Sequence, residues 1–99
     1  MAKRKINWTR KSNLERKNIL DYWIKRNKSK TYSIKLNKLF LDTIKQVSEH
    51  PTIGRKTEFQ NVRVKIVQDY LLFYEYTPTH LKVLSIWDGH RDEKKLEIK

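Results

Sequence analysis

Residues 61–87 read NVRVKIVQDYLLFYEYTPTHLKVLSIW and contain three predicted strands in succession. In the first, Val62, Val64 and Ile66 alternate with Arg63 and Lys65, which is the period of two expected of a strand with one buried face. We expect the valine and isoleucine side chains to pack on helices. The two cations are then expected on the open face of the sheet.

The next two strands complete a three-stranded antiparallel meander. Residues 70–74 follow a short turn at Gln68 and Asp69 and are apolar on both faces, which is typical of a central strand. Residues 77–80 contain Pro78 and predict a hairpin loop. Residues 81–87 then predict the last strand, antiparallel to its neighbour.

A strand and a first helix are predicted before the meander. Ile6 and Trp8 alternate with polar neighbours, as in a short strand with one buried face. Ser12 and Glu15 have the Ser-x-x-Glu spacing of a capping box and predict the start of a helix. The apolar stripe of that helix consists of Ile19, Leu20, Trp23 and Ile24.

A second helix follows a tight connection and is capped by Ser29 or Thr31. It ends before Pro51, because the residue before a proline avoids the helical region. Its apolar positions are Tyr32, Leu36, Leu39, Phe40, Ile44 and Val47. Two helices joined this briefly are expected to pack as an antiparallel hairpin.

The order β-α-α-β-β-β predicts an α+β fold: an N-terminal strand, a helical hairpin and a three-stranded antiparallel meander, with the helices packed on one face of a four-stranded sheet. A chain of 99 residues has room for one core, so we expect a single domain over residues 1–99.

Composition excludes several kinds of site. The chain has no cysteine, and His50, His80 and His90 lie far apart, so neither a metal nor a cofactor is expected. No run of about 18 apolar residues predicts a membrane span, and the basic N-terminus lacks the apolar run of a signal peptide. We therefore expect a cytoplasmic protein that does not contact a membrane.

Charge is the strongest compositional signal. The formal net charge is +12, and residues 1–30 carry 11 basic against 2 acidic side chains. Such a chain favours a polyanion or an acidic protein as its partner.

Several short motifs in succession resemble the RelE/ParE superfamily of toxins. They are Trp8-Thr9-Arg10 before the first helix, residues 61–67, residues 70–75, and IWDGHRD at residues 86–92. The resemblance covers nearly the whole chain. It implies the toxin of a type II toxin-antitoxin pair, neutralised by a cognate acidic antitoxin that folds onto it. The target is ribosome-bound messenger RNA in RelE-like members and DNA gyrase in ParE-like members.

RNA cleavage needs no metal, because the neighbouring 2′-hydroxyl attacks the phosphate once a base removes its proton. By resemblance to the RelE-like enzymes, Arg63 and Lys65 would clamp the phosphate, with Lys65 as the base. Arg91 would stabilise the transition state, and His90 would act as acid or base. We place ribosome-dependent messenger RNA cleavage first among the hypotheses.

Two alternatives stay open. RelE-like nucleases usually carry an arginine where this chain has Leu71, and a tyrosine near the end that this tail lacks. Residues 70–74 are closer to the ParE-like branch, whose members bind gyrase and catalyse no reaction. The second hypothesis is therefore gyrase inhibition, and the third is a basic RNA-binding module without toxicity.

Overall fold

The computed structural model describes residues 4–89 and confirms the α+β fold with two helices on a sheet. The elements in chain order are β1 (Lys5–Trp8), α1 (Arg10–Asn27), α2 (Thr31–Glu49), a 3-10 turn (Pro51–Ile53), β2 (Arg55–Lys56), β3 (Val62–Val67), β4 (Tyr70–Tyr76) and β5 (His80–Asp88).

The sheet has five strands in the order β1-β5-β4-β3-β2, so the expectation of four strands is wrong. The missed strand is β2, two residues long, which pairs antiparallel with β3. The predicted meander of β3, β4 and β5 is confirmed, and β4 is its central strand. β1 pairs in parallel with β5, and its Ile6 is 37% exposed rather than buried.

α1 begins three residues earlier than the predicted capping box would place it. Its N-cap is Thr9, whose hydroxyl oxygen accepts a hydrogen bond from the amide of Ser12 at 3.1 Å. Ser12 is buried and donates back to the Thr9 carbonyl oxygen at 3.0 Å. The cap is thus a Thr-x-x-Ser pair, and Glu15 has a different function.

Glu15 binds a β-bulge in β5. The β4 pairing shifts there, because Phe73 is opposite Ser85 while Tyr74 is opposite Val83, which leaves Leu84 without a partner. The carboxylate of Glu15 accepts from the Ser85 hydroxyl at 2.9 Å and from the Ile86 amide at 3.2 Å. The bulge is therefore stabilised by a side chain from α1.

The two helices are joined as predicted by a tight connection. α1 ends at a left-handed residue, Lys28, with φ 52°. Neither predicted cap residue is the N-cap of α2, which is Lys30; Ser29 instead accepts from the Thr31 amide at 3.2 Å. Pro51 ends the helix, as predicted.

Both helices pack on one face of the sheet. α2 contributes Leu36, Phe40, Ile44 and Val47 to the core beneath it, while Ile19, Leu20 and Trp23 of α1 pack at its margin. The sheet contributes Val67, Tyr70, Leu72, Tyr74, Leu81, Val83 and Ile86. The other face carries a second apolar cluster, formed by Val62, Val64, Leu71, Phe73, Leu84 and Trp87.

Tyr74 joins the centre of the sheet to the turn after α2. Its fully buried hydroxyl donates to the Pro51 carbonyl oxygen at 2.6 Å and accepts from the Gly54 amide at 3.1 Å. A Cβ at position 54 would collide with that hydroxyl, so this close approach requires glycine. Burial raises the pKa of the Tyr74 hydroxyl, which keeps it protonated as a donor.

We expect Tyr74→Phe to lower the free energy of unfolding by about 1–3 kcal/mol, because the Pro51 carbonyl and the Gly54 amide would lose a buried partner. Urea unfolding at pH 7 measures this. Tyr22→Phe is the matched control, since Tyr22 is 52% exposed, and its effect should be below about 0.5 kcal/mol.

Comparing the wild type with Tyr74→Phe also gives a pH dependence of stability. Because the pKa of Tyr74 is raised in the folded state, the Tyr74 hydroxyl ionises in the unfolded chain first, once the pH passes about 10. Stability is then lost as pH rises towards the folded-state pKa. Wild-type stability should fall more steeply than that of Tyr74→Phe between about pH 9.5 and 11, and parallel curves would refute the assignment.

Glu15→Ala should cost about 1–3 kcal/mol of stability, because it leaves the Ser85 hydroxyl and the Ile86 amide without their acceptor. Asp21→Ala removes the same charge from an exposed position of α1 and serves as the control. Equal losses in both variants, measured by urea unfolding, would show that Glu15 acts only through net charge.

Candidate functional site

The predicted catalytic cations Arg63 and Lys65 lie on the face that carries the helices. Arg63 is paired with Tyr74 and Lys65 with Leu72, and both partners belong to the core beneath the helices. Directly paired residues share a face of the sheet. The expectation that these cations lie on the open face is therefore wrong, because Val62 and Val64 occupy that face instead.

Arg63 makes specific contacts with the turn after α2. Its Nη1 donates to the Gly54 carbonyl oxygen at 2.7 Å and to the Thr52 carbonyl oxygen at 3.3 Å. These are charge-assisted hydrogen bonds, which are stronger than neutral ones. Together with Tyr74, Arg63 holds the turn against the sheet, so part of its donor capacity is already used.

Lys65 is half-buried and has no hydrogen-bond or ion-pair partner within residues 4–89. The other two predicted catalytic residues, His90 and Arg91, lie outside the described residues. The described residues thus include two of the four predicted groups, and of those two only Lys65 makes no hydrogen bond or ion pair within residues 4–89.

The two raised pKa values in the described part of the chain belong to structural tyrosines. Burial raises the pKa of Tyr70, whose hydroxyl accepts from Trp23 Nε1 at 2.7 Å and so ties β4 to α1. Within residues 4–89, no group of three or more His, Cys, Asp or Glu side chains is arranged to hold a metal ion. No helix of that range is both long and apolar enough to cross a bilayer.

A groove of about 620 Å³ runs between α1 and α2, and we call it the hairpin groove. Its apolar lining includes Leu20, Ile24 and Ile34, and Ile34 is 67% exposed. The groove is framed by the cations Arg16, Lys17 and Lys30, against the single carboxylate of Asp21.

Arg16 is fixed in the wall of the hairpin groove. Its guanidinium donates to the side-chain oxygens of Asn37 and Asn13, each at 3.2 Å. It also lies over the ring of Trp8, 4.7 Å from the centroid. The basic N-terminal third of the sequence therefore places at least one rigidly held cation beside an apolar cleft.

The sequence analysis expects Leu20 and Ile24 in an apolar stripe of α1 but does not identify Ile34 as a contact residue, although a sequence signal exists. Ile34 falls outside the stripe that Leu36 and Phe40 form in α2, so a helical projection leaves it on the outer side. An exposed aliphatic side chain marks a contact surface where it joins others in one patch, as Ile34 joins Leu20 and Ile24.

The comparisons with known proteins agree with this architecture. The family model described as ParE toxin of type II toxin-antitoxin system, parDE, matches residues 6–93. A solved structure described as the chromosomal ParDE TA system from P. aeruginosa superposes with a TM-score of 0.74 at 17% identity, over 86% of this chain and 95% of that one. No curated protein matches the chain. Since the family model spans most of the sequence, this chain belongs to the ParE toxin family of type II toxin-antitoxin systems.

Proposed function

We propose that this toxin inhibits DNA gyrase by binding it and catalyses no reaction itself. The observation that carries the proposal is the use of Arg63, which supports the turn at residues 52–54 through two carbonyl oxygens. A phosphate clamp would need that guanidinium to be available. Leu71 supports the same proposal. It is buried in the second apolar cluster, and nucleases of the wider superfamily usually carry an arginine at this position.

Messenger RNA cleavage stays a prediction, and one observation favours it. Lys65 is without a partner among the described residues, so it is the one placed member of the predicted set that is free to act as a base. Cleavage by this route would depend on His90 and Arg91 reaching the helix-bearing side of β3.

Family membership implies an antitoxin partner, and we propose that the antitoxin docks as a helix in the hairpin groove. An amphipathic helix places apolar side chains at intervals of three and four residues, which suits a cleft lined by Leu20, Ile24 and Ile34. The surrounding cations Arg16 and Lys17 complement an acidic partner. Charge complementarity of this kind mainly accelerates association and excludes other partners.

The function can be tested with purified toxin in two parallel assays. We expect inhibition of plasmid supercoiling by gyrase at stoichiometric toxin, and intact transcripts when translating ribosomes receive the same amount. Lys65→Ala should leave gyrase inhibition within about twofold of wild type, because the proposed inhibitor does not depend on a catalytic base.

The opposite pattern would overturn the proposal. Cleaved transcripts together with unaltered supercoiling, and loss of that cleavage in Lys65→Ala, would establish the nuclease. No effect in either assay, combined with binding to RNA, would favour the module without toxicity.

The docking surface can be tested with two matched substitutions. Ile34→Glu, in the hairpin groove, should weaken antitoxin binding by on the order of tenfold to a hundredfold, because it places a carboxylate in an apolar contact facing an acidic partner. Ile66→Glu is the control, since Ile66 lies on the opposite sheet face and is 59% exposed. Titration calorimetry with the cognate antitoxin gives both affinities.

A loss confined to Ile66→Glu would move the antitoxin to the open face of the sheet. If both variants bind the antitoxin with equal affinity, the hairpin groove is not its docking site.

A further inference from the structure

A second concave surface lies at the end of the sheet, where the loop between β2 and β3 meets the start of β3 and the end of β4. It is a cavity of about 400 Å³, and we call it the sheet-end groove. An adjoining cavity of about 380 Å³ shares Asn61 and Tyr76 with it. The sheet-end groove shares no lining residue with the hairpin groove.

The sheet-end groove is positively charged. Lys56 and Arg63 line it, and the described residues that line it include no carboxylate. The Arg63 charge is held in place by the Gly54 and Thr52 carbonyls, and a fixed cation attracts an anion without an ordering cost.

An aromatic ring and two amides project from the loop between β2 and β3. Phe59 is 38% exposed, although it is large and apolar, and Gln60 and Asn61 follow it directly. All three line the groove. This run was not identified as a site from the sequence, where an aromatic residue within a polar loop was the available signal.

The loop is held in one conformation by Thr57. The Thr57 hydroxyl donates to the Val62 carbonyl oxygen at 2.9 Å and accepts from the Phe59 amide at 3.2 Å. The Val62 amide in turn donates to the Phe59 carbonyl oxygen at 3.3 Å, and Asn61 adopts a left-handed φ of 65°. These bonds preorganise Phe59 and its neighbouring amides for contact.

The far wall of the groove is fixed as well. The Arg4 guanidinium lies 5.4 Å from the centroid of the Tyr76 ring and donates to the Thr77 carbonyl oxygen at 2.6 Å. It also reaches the Ser48 carbonyl oxygen at the end of α2, at 3.2 Å. Tyr76, with the Arg4 guanidinium against its ring, therefore forms this wall of the groove.

We infer that the sheet-end groove binds single-stranded nucleic acid. Lys56 would contact phosphate, Phe59 would stack on an unpaired base, and the amides of Gln60 and Asn61 would contact base edges, while the fixed Arg63 adds to the positive potential. Stacking on Phe59 requires a base outside a duplex, which selects a single strand. A cavity of about 400 Å³ is in the range of small-ligand sites and has room for a nucleotide.

This inference goes beyond gyrase inhibition, and it holds or fails independently of it. The groove chemistry is common to RNA and DNA, because a stacked base and a phosphate occur in both. RNA differs from DNA by its 2′-hydroxyl, so comparing the two oligomers shows whether the groove contacts that group.

The test measures fluorescence anisotropy of labelled 12-nucleotide adenine oligomers, one of DNA and one of RNA, with the full chain over a range of salt. Phe59→Ala should weaken binding about 5-fold to 50-fold without changing the slope of log affinity against log salt, since stacking is uncharged. Phe59→Trp should retain binding. Lys56→Ala should lower the magnitude of the salt slope by about 0.7.

Lys38→Ala supplies the matched control. Lys38 is exposed on α2, and its substitution removes the same charge as Lys56→Ala. The affinity for the oligomers should therefore stay within about twofold of wild type. The inference is overturned if Phe59→Ala binds like wild type, or if Lys38→Ala weakens binding as much as Lys56→Ala does. Displacement of the oligomers by an equal charge of polyglutamate would also overturn it. If one oligomer binds more tightly and Phe59→Ala still weakens its binding, the result would support binding in the sheet-end groove. It would also show whether the ligand is RNA or DNA.

Discussion

The structure depends on one irregularity in β5, the bulge at Leu84, and on the residues that stabilise it. The Leu84 carbonyl oxygen accepts from the Thr9 hydroxyl at 3.2 Å, and the Ile86 amide donates to Glu15. A bulge leaves backbone groups outside the sheet ladder, and these would be costly to bury unpaired. Both partners come from the start of α1, so the same contacts fix the first helix on the sheet.

The bulge also assigns the side chains of β5 to the two faces. Side chains alternate along a strand, so one extra residue reverses the alternation beyond it. Val83 and Ile86 consequently face the helices, although they are three residues apart, while Leu84 and Trp87 join the opposite cluster. A regular strand would have turned either Ile86 or Val83 away from the helices. The chain thereby builds two apolar clusters from one short meander.

Local patterns predicted what depends on local physics. The strand period, the tight helical connection and the helix end at Pro51 follow from neighbouring residues, and all three are confirmed. The face of Arg63 and Lys65 was not predictable in this way, because β3 carries Val62 and Val64 on one side and Val67 on the other. Periodicity shows that a strand has two faces but does not identify the one that helices cover. Glu15 was misassigned for a related reason: a contact 71 residues away in sequence replaced the local cap.

The arrangement of charge among the described residues supports our proposal that this toxin acts by contact. Catalysis requires several groups to converge within a few ångströms, whereas recognition requires only a surface of suitable shape and charge. In the described part of the chain, Arg63 supports a turn and Arg16 is bonded to two asparagines, so these cations hold the protein's own structure while extending its positive surface. Such fixed cations cost little further entropy on binding a partner. A small domain with a net charge of +12 gains affinity for acidic or polyanionic partners in this way.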